Sequence, residues 1–339
     1  MIKDLSAHRI HPHFVGLPDE SSLRRCSALL RTILNQATAE AKADGILLSG
    51  GLDTSVVSYS ATRSSRPKAA TVAFTMGSPS DPPYAKRVAS LLGMEHFFHE
   101  FDLEEYTDAS HHVIEALHTF DPVEVRNSAS IYLALRLAKD HGMRRVLTGD
   151  AFDELYAGYS FFVDMTDYGD LQKALEAMWA VMSFTSRDLG RYVGIEVDIP
   201  ALHADFLQFS KSVPADLKVR EVNGQRWGKW IVRRAHRGLL PDEILWRPKA
   251  PIEAGTGTTY AEVLADEEIS DGEFAKEKER LARNGLALRN KEQLICYRYY
   301  VSKFGDKPAY PDLEKKCRCC GSGVEHGKNY CRVCGAYPA

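Results

Sequence analysis

Ser49-Gly50-Gly51-Leu52-Asp53-Thr54-Ser55 follows the apolar run Ile46-Leu47-Leu48 and leads into a helical segment. The two glycines let backbone N–H groups approach an anion, the hydroxyls donate further hydrogen bonds, and the start of the helix adds a favourable dipole. That set suits a polyphosphate. Asp53 goes beyond plain anion binding: a carboxylate among phosphate oxygens is repulsive unless a divalent cation lies between, so Asp53 reads as a Mg²⁺ ligand. The G-x-x-x-x-G-K-[ST] pattern of γ-phosphate transfer is not there.

A second loop follows a later apolar run: Thr148-Gly149-Asp150-Ala151-Phe152-Asp153-Glu154-Leu155-Tyr156-Ala157-Gly158-Tyr159. Its three acidic residues within five positions can share a cation or supply a base. A basic run comes later, comprising Arg226, Lys229, Arg233, Arg234, Arg237, Arg247 and Lys249. On a helix Arg226, Lys229 and Arg233 share one face, so some could lie over phosphates, although a solvated helix face is the preferred reading for most of them. Lys249, in a glycine-bounded loop rather than on a regular face, reads as chemistry.

Five of the seven cysteines fall in the last 23 residues. Cys317-x-x-Cys320-Gly and Cys331-x-x-Cys334-Gly, with ten residues between the pairs, match two knuckles closing a tetrahedral Zn²⁺ site on four thiolates. Such a closed set is structural. Cys319 and His326 are spare, and the clustering points to metal in a reducing compartment rather than to disulfides.

These groups need a scaffold. The chain has 339 residues, 44% hydrophobic and 26% charged, which is ordinary globular composition. Lys plus Arg total 43 against 46 for Asp plus Glu, a net charge of -3, so no global field favours nucleic acid or an anionic membrane. Neither a secretory signal nor a membrane span is read, and a cytoplasmic protein is expected. Short apolar runs at residues 46–48, 70–76, 96–101 and 145–148 read as buried strands. Helical segments at 54–63, 82–92 (ended by Gly93) and 128–139 (after an Asn127 cap) alternate with them. Alternation of this kind predicts an α/β, doubly wound parallel sheet, in which both acidic loops emerge at the carboxyl edge. Between Asp19 and Asp44 one amphipathic helix is expected, and from Asp170 to about Ser302 the chain reads mostly helical. Gly305 with Pro308 and Pro311 marks a linker.

The residues of the first loop resemble the SGGxDS loop of N-type ATP pyrophosphatases (PP-loop enzymes). Residues 149–159 resemble the GEGxDExFxGY stretch of the synthetase domain of asparagine synthetases. Val72-Ala73-Phe74-Thr75-Met76-Gly77 is similar to that family's adenine-side strand and turn, and Trp246-Arg247-Pro248-Lys249 with Gly255-Thr256-Gly257 to its WRxK…G-x-G loop. The likeness covers most of residues 20–305 and implies an ATP-dependent ligase: a carboxylate attacks the α-phosphorus of ATP, pyrophosphate leaves, and ammonia or an amine displaces AMP from the acyl-adenylate. Carried over, Ser49, Gly50, Gly51, Thr54, Ser55 and Gly149 would bind the nucleotide's phosphates. Val72, Phe74 and Gly77 would flank its base, and Asp53 and Asp153 would hold Mg²⁺. Lys249 would neutralise developing charge. Asp150 stands where the family has Glu, the residue that manages the proton of the incoming amine.

The resemblance predicts residues 1–44 as a helical lead-in, 45–170 as the ATP-binding α/β core of HUP type, and 171–305 as the helical part. Residues 306–314 are the linker and 315–339 a Cys₄ zinc ribbon. Residue 2 is Ile where the family's glutaminase begins with cysteine, so no glutaminase is expected and nitrogen would come from ammonia, an amine or a separate protein. Asp198-Ile199-Pro200-Ala201-Leu202-His203 replaces the family's R-x-P-F-L-D, a charge reversal that leaves the acid open, small molecule or carrier-bound. A second reading, a PP-loop tRNA-thiolating enzyme using the ribbon on RNA or a carrier protein, meets the absence of a C-x-x-C in the body, where only Cys26 and Cys296 lie. A third is a binding protein descended from a synthetase. The ribbon's five basic residues against two acidic ones from Glu314 to Cys334 leave RNA open, and a homodimer is compatible.

Overall fold

The computed structural model describes residues 19–339, so the part of the N-terminal reading on residues 1–18 lies outside the described residues. Helix α1 (Glu20–Ala41) starts where Asp19 accepts the Ser22 N–H at 2.7 Å. It buries Leu23, Cys26, Leu30 and Leu34, the three-to-four spacing of one apolar face.

Five strands form one parallel sheet: β1 (Gly45–Leu47), β2 (Lys68–Phe74), β3 (His96–Phe101), β4 (Arg145–Leu147) and β5 (Glu196–Asp198), in the order β3-β2-β1-β4-β5. The chain runs outward from β1 to β3, then returns to place β4 on the other side of β1. The switch point therefore lies between β1 and β4, and a crevice opens beyond their carboxyl ends. Both sequence motifs follow these two strands.

Helices cover the two faces. On one, α1 packs against α2 (Leu52–Ala61), and α3 (Pro82–Leu92) lies beside α2, around Leu30, Leu34, Val56, Val57 and Val88. On the other, α4 (Leu103–Leu117) and α5 (Pro122–Asp140) enclose Phe74, Phe101, Tyr106 and Leu135. Helix α3 ends at Gly93, whose φ of 62° is the left-handed cap expected of glycine.

Several expectations need correction. Strand β5 falls in the stretch read as mostly helical; three residues are too few to show alternation. Strand β3 is an edge strand with Phe101 alone buried, since each remaining residue keeps some contact with solvent. Helix α5 begins at Pro122 with Asp121 as its cap position, so Asn127 is interior: proline at the first turn fixes the start. Helix α4 was not anticipated, although Asp102 and Glu105 form a capping box at its start.

At the carboxyl end, Lys315–Lys316 pairs antiparallel with Gly323–Val324. Val324, Cys331, Val333 and Cys334 join the same apolar cluster as Phe120 and Tyr300, so the ribbon is docked on the α/β body. Among the described residues no helix is long and apolar enough to cross a membrane.

Candidate active site

The first loop turns sharply because Gly50 takes φ 77° and packs against α3; a Cβ there would lie 2.2 Å from the Ala85 nitrogen. Gly51 caps α2. The Ser49 and Thr54 hydroxyls lie 3.1 Å apart, and the Gly51 N–H donates to Ser49 Oγ at 3.2 Å. With the N–H groups of the first helical turn, which have no partner within a helix, they make an anion-binding cradle. Ser55 is fully buried and its hydroxyl donates to the Gly51 carbonyl at 2.7 Å, so it braces the turn. Gly149 brings the second loop against the first: a Cβ there would meet Asp53 Cβ at 2.9 Å.

The two loops converge on lysines. Lys229 Nζ lies 2.5 Å from Asp53 Oδ2 and 2.7 Å from Asp153 Oδ1, while Lys249 Nζ lies 2.7 Å from Asp153 Oδ2. Lys229 is buried, with its side chain 4% exposed against 35% for Lys249. Burial pushes the Asp53 carboxyl up, with the Lys229 charge opposing. At Asp153 burial acts in the same upward sense, but the two ammonium groups outweigh it and hold the carboxyl low. Burial would lower Lys249; the Asp153 and Asp53 charges overcome it and raise it. Asp53 Oδ1 is buried with no hydrogen-bond partner. An orphan carboxylate oxygen beside a second carboxylate and a phosphate cradle fits a hard divalent cation.

The three acidic residues of the second loop do not act as one cluster. Asp153 faces the lysines, and Asp150 Oδ2 instead accepts from the Thr148 hydroxyl at 2.8 Å and the Ser186 hydroxyl at 2.5 Å. Burial raises Asp150, with those two hydroxyls opposing. Glu154 turns away to accept the Tyr159 hydroxyl at 2.5 Å. Ala151 carries φ 73°, a left-handed conformation that the glycine of the GEG pattern adopts without the ~1–2 kcal/mol steric cost of a side chain.

The loop bearing Lys249 is tied down by Arg247, whose guanidinium bonds Asp81 at 2.8 Å and Ser80 at 2.9 Å and lies 4.0 Å over the Tyr84 ring. Gly77 and Gly257 touch: a Cβ on Gly77 would lie 2.1 Å from the Gly257 oxygen. Val72 and Phe74 point into the core, Phe74 stacking on Phe101 at 5.3 Å. Their side chains are therefore not free to line a site, and only the backbone and the turn around Gly77 are open at this end of β2.

Lys229 is the residue the sequence reading undervalued. Arg226 belongs to a hairpin strand and donates to the Val163 and Met165 carbonyls. Arg233 is buried and donates to the Gly228, Leu245 and Arg247 carbonyls. There is no shared solvated face, because Lys229, with φ 55°, caps a helix that starts only at Trp230. The signal lay in Gly158 and Gly228: a Cβ on Gly158 would lie 1.9 Å from Asp153 Oδ1, and one on Gly228 2.1 Å from the Ala157 oxygen. Two glycines are needed for the lysine segment to reach the acidic loop. The Asp198 substitution also resolves internally, since His203 Nε2 lies 2.8 Å from Asp198 Oδ1.

In the tail, Cys317, Cys320, Cys331 and Cys334 bring their sulfurs within 4.8 Å of one another, with Cys317–Cys334 at 3.6 Å and Cys320–Cys331 at 3.7 Å. Four thiolates about 2.3 Å from a tetrahedral zinc stand about 3.8 Å apart, so these residues fit the ion. Cys319 and His326 are outside the set.

A doubly wound parallel sheet with a phosphate-type loop and a paired acidic loop at its switch point defines the class. The chain belongs to the asparagine synthase family, whose model matches residues 27–189 and 178–294. It is 30% identical over 264 residues to a probable glutamine-hydrolyzing asparagine synthetase of Schizosaccharomyces pombe, covering 68% of this chain and 47% of that protein. To glutamine-hydrolyzing asparagine synthetase 1 of Saccharomyces cerevisiae it is 29% identical, with 69% and 49% covered. To asparagine synthetase B of Escherichia coli, also glutamine-hydrolyzing, it is 27% identical, with 71% and 47% covered. The chain spans about half the length of these relatives.

Proposed function

We propose that the protein is an ATP-dependent amide-forming ligase that adenylates a carboxylate, releases pyrophosphate and passes the acyl group to ammonia or an amine. The observation that carries this reading is the meeting of Asp53 and Asp153, from loops after β1 and β4, on Lys229 and Lys249. Such an arrangement suits a leaving pyrophosphate: Ser49, Thr54 and the first turn of α2 cradle its oxygens, and the two ammonium groups neutralise charge as the Pα–O bond breaks. Asp53 and Asp153 would hold Mg²⁺, which supplies Lewis-acid stabilisation of the phosphate oxygens when bound.

Asp150 sits apart from the lysines, on two hydroxyl donors, with its proton affinity raised by burial. A carboxylate so placed takes the proton of the amine as nitrogen attacks the acyl carbon and AMP leaves. We read residues 45–170 with β5 as the nucleotide-binding core, 171–305 as its mostly helical completion, and 315–339 as a zinc ribbon. Four of the ribbon's five basic side chains, Lys315, Lys316, Lys328 and Arg332, donate within the chain, which favours a small or carrier-bound acid over RNA. The test is pyrophosphate release from ATP across a panel of carboxylic acids with ammonia or an amine. Release that depends on one acid is expected; ADP with orthophosphate would overturn the reading.

A further inference from the structure

The ribbon touches the body at two places that lead to the site. Its second knuckle sends Lys328 Nζ to the Val181 carbonyl at 2.7 Å, and Arg332 to the Ser183 hydroxyl. Val181 ends one helix and Ser183 lies in the short turn before the next, Thr185–Val193. That second helix carries Ser186, whose hydroxyl donates to Asp150. The other attachment is at the start of α5. Tyr330 donates to the buried Asp121 carboxylate, and the Phe120 N–H donates to the Val333 carbonyl at 2.7 Å. Helix α5 in turn meets the turn through Ser128 and Thr185, whose hydroxyls lie 3.3 Å apart.

Residues 182–184 between the two helices are not themselves deeply buried, and a three-residue connection of this kind has little to hold it except what lies against it. Met182 and Phe184 pack one side of it against the core, and its polar side is held from Lys328 and Arg332. These two flank Cys331, so an ion shared by the four thiolates tightens them beyond what the Tyr330 and Val333 contacts supply.

We propose that the zinc ribbon is a positioning element for Asp150: metal on Cys317, Cys320, Cys331 and Cys334 sets Lys328 and Arg332 against Val181–Ser183, and this keeps the Ser186 hydroxyl on the Asp150 carboxylate. The inference rests on the ligase reading for the role of Asp150, but the linkage from ribbon to Ser186 is physical and is read without substrate. Lys328 and Arg332 are positioning residues, acting through the turn.

The experiment is hydrogen–deuterium exchange of the full chain with zinc, after zinc release by chelation, and as the Lys328→Ala/Arg332→Ala double variant, which keeps all four cysteines. Amides of residues 181–190 are expected to exchange about tenfold faster in the zinc-free protein and in the double variant, and in the double variant residues 49–61 are unchanged. The double variant should keep its zinc and its affinity for Mg²⁺ with a non-hydrolysable ATP analogue, and Arg332→Lys should restore much of the protection. Unchanged exchange at 181–190, or loosening in the double variant spread equally over 49–61, would overturn the proposal. Absence of any acid-dependent pyrophosphate release would sink the ligase reading alone and leave the exchange result standing.

Discussion

At the residue scale the site turns on two lysines that differ in burial. Lys229 is enclosed between two carboxylates, so its removal leaves both uncompensated, whereas Lys249 reaches solvent. Lys229→Ala is expected to lower the free energy of unfolding by about 3 kcal/mol, and Lys249→Ala by less than about 1 kcal/mol, both read by urea denaturation. Both should reduce pyrophosphate-forming turnover by about 10²-fold or more, because each removes fixed positive charge from the breaking bond. Lys218 offers a separate test. Its ammonium lies 4.4 Å from the Trp179 ring centroid and 5.9 Å from that of Tyr156, without a hydrogen-bond partner, and burial pulls its pKa down to about 7. Between about pH 7 and the ordinary lysine value the unfolded chain holds a proton that the folded chain has lost. Stability contributed by this site therefore rises with pH through that window, by at most about 1.4 kcal/mol per pH unit, and falls as pH drops towards 7. Lys218→Met should raise the urea midpoint at pH 7 and flatten the rise between pH 7 and 9; an unchanged slope would show that the ammonium is solvated.

Among elements, loop approach is set by glycines. The turn after β2 and the Lys249 loop are in van der Waals contact only because Gly77 and Gly257 lack side chains. Gly77→Ala should push the Lys249 loop off its seat, raising the KM for ATP about tenfold or more with little change in the urea midpoint, since the sheet is untouched; steady-state kinetics with denaturation checks both halves. The alternation of apolar runs and helical spacing made strands β1 to β4 and their parallel arrangement legible, because burial within a parallel sheet leaves near-continuous apolar strands. Strand β5 and helix α4 were not read: the first is three residues long, and the second announces itself only through its capping box. Helical spacing does not hold across the basic run, which spans a hairpin strand and a turn, so Lys229 shares no helix face with Arg226.

For the whole molecule, the ribbon is one structure with the α/β body. Gln293 and Arg289, from and just before the helix Lys291–Phe304, donate to the Cys334 carbonyl at 2.8 and 3.0 Å, and Arg289 pairs with Asp121 at 2.6 Å. Elemental analysis should find about one zinc per chain. Cys331→Ser should abolish it and lower the thermal midpoint of the entire domain rather than melt the tail in a separate transition, because the knuckle is part of the same apolar cluster as Phe120 and Tyr300. Two resolved transitions by calorimetry would show instead that the ribbon folds independently.

The sequence by itself made legible the glycine-rich loop, the acidic loop and a four-cysteine set that fits zinc, each a local pattern of residue type and short spacing. It also determined the parallel sheet that carries the two loops to one edge. Tertiary structure alone decided which charges meet. Asp53, Asp153 and Lys229 are separated by 100 and 76 positions along the chain, and their encounter depends on a switch point, on glycines that permit close approach, and on the absence of a regular helix at Lys229. Whether the ribbon stands free or braces the body was likewise settled by packing, since its attachments are hydrogen bonds to residues far away in sequence, which no local spacing records.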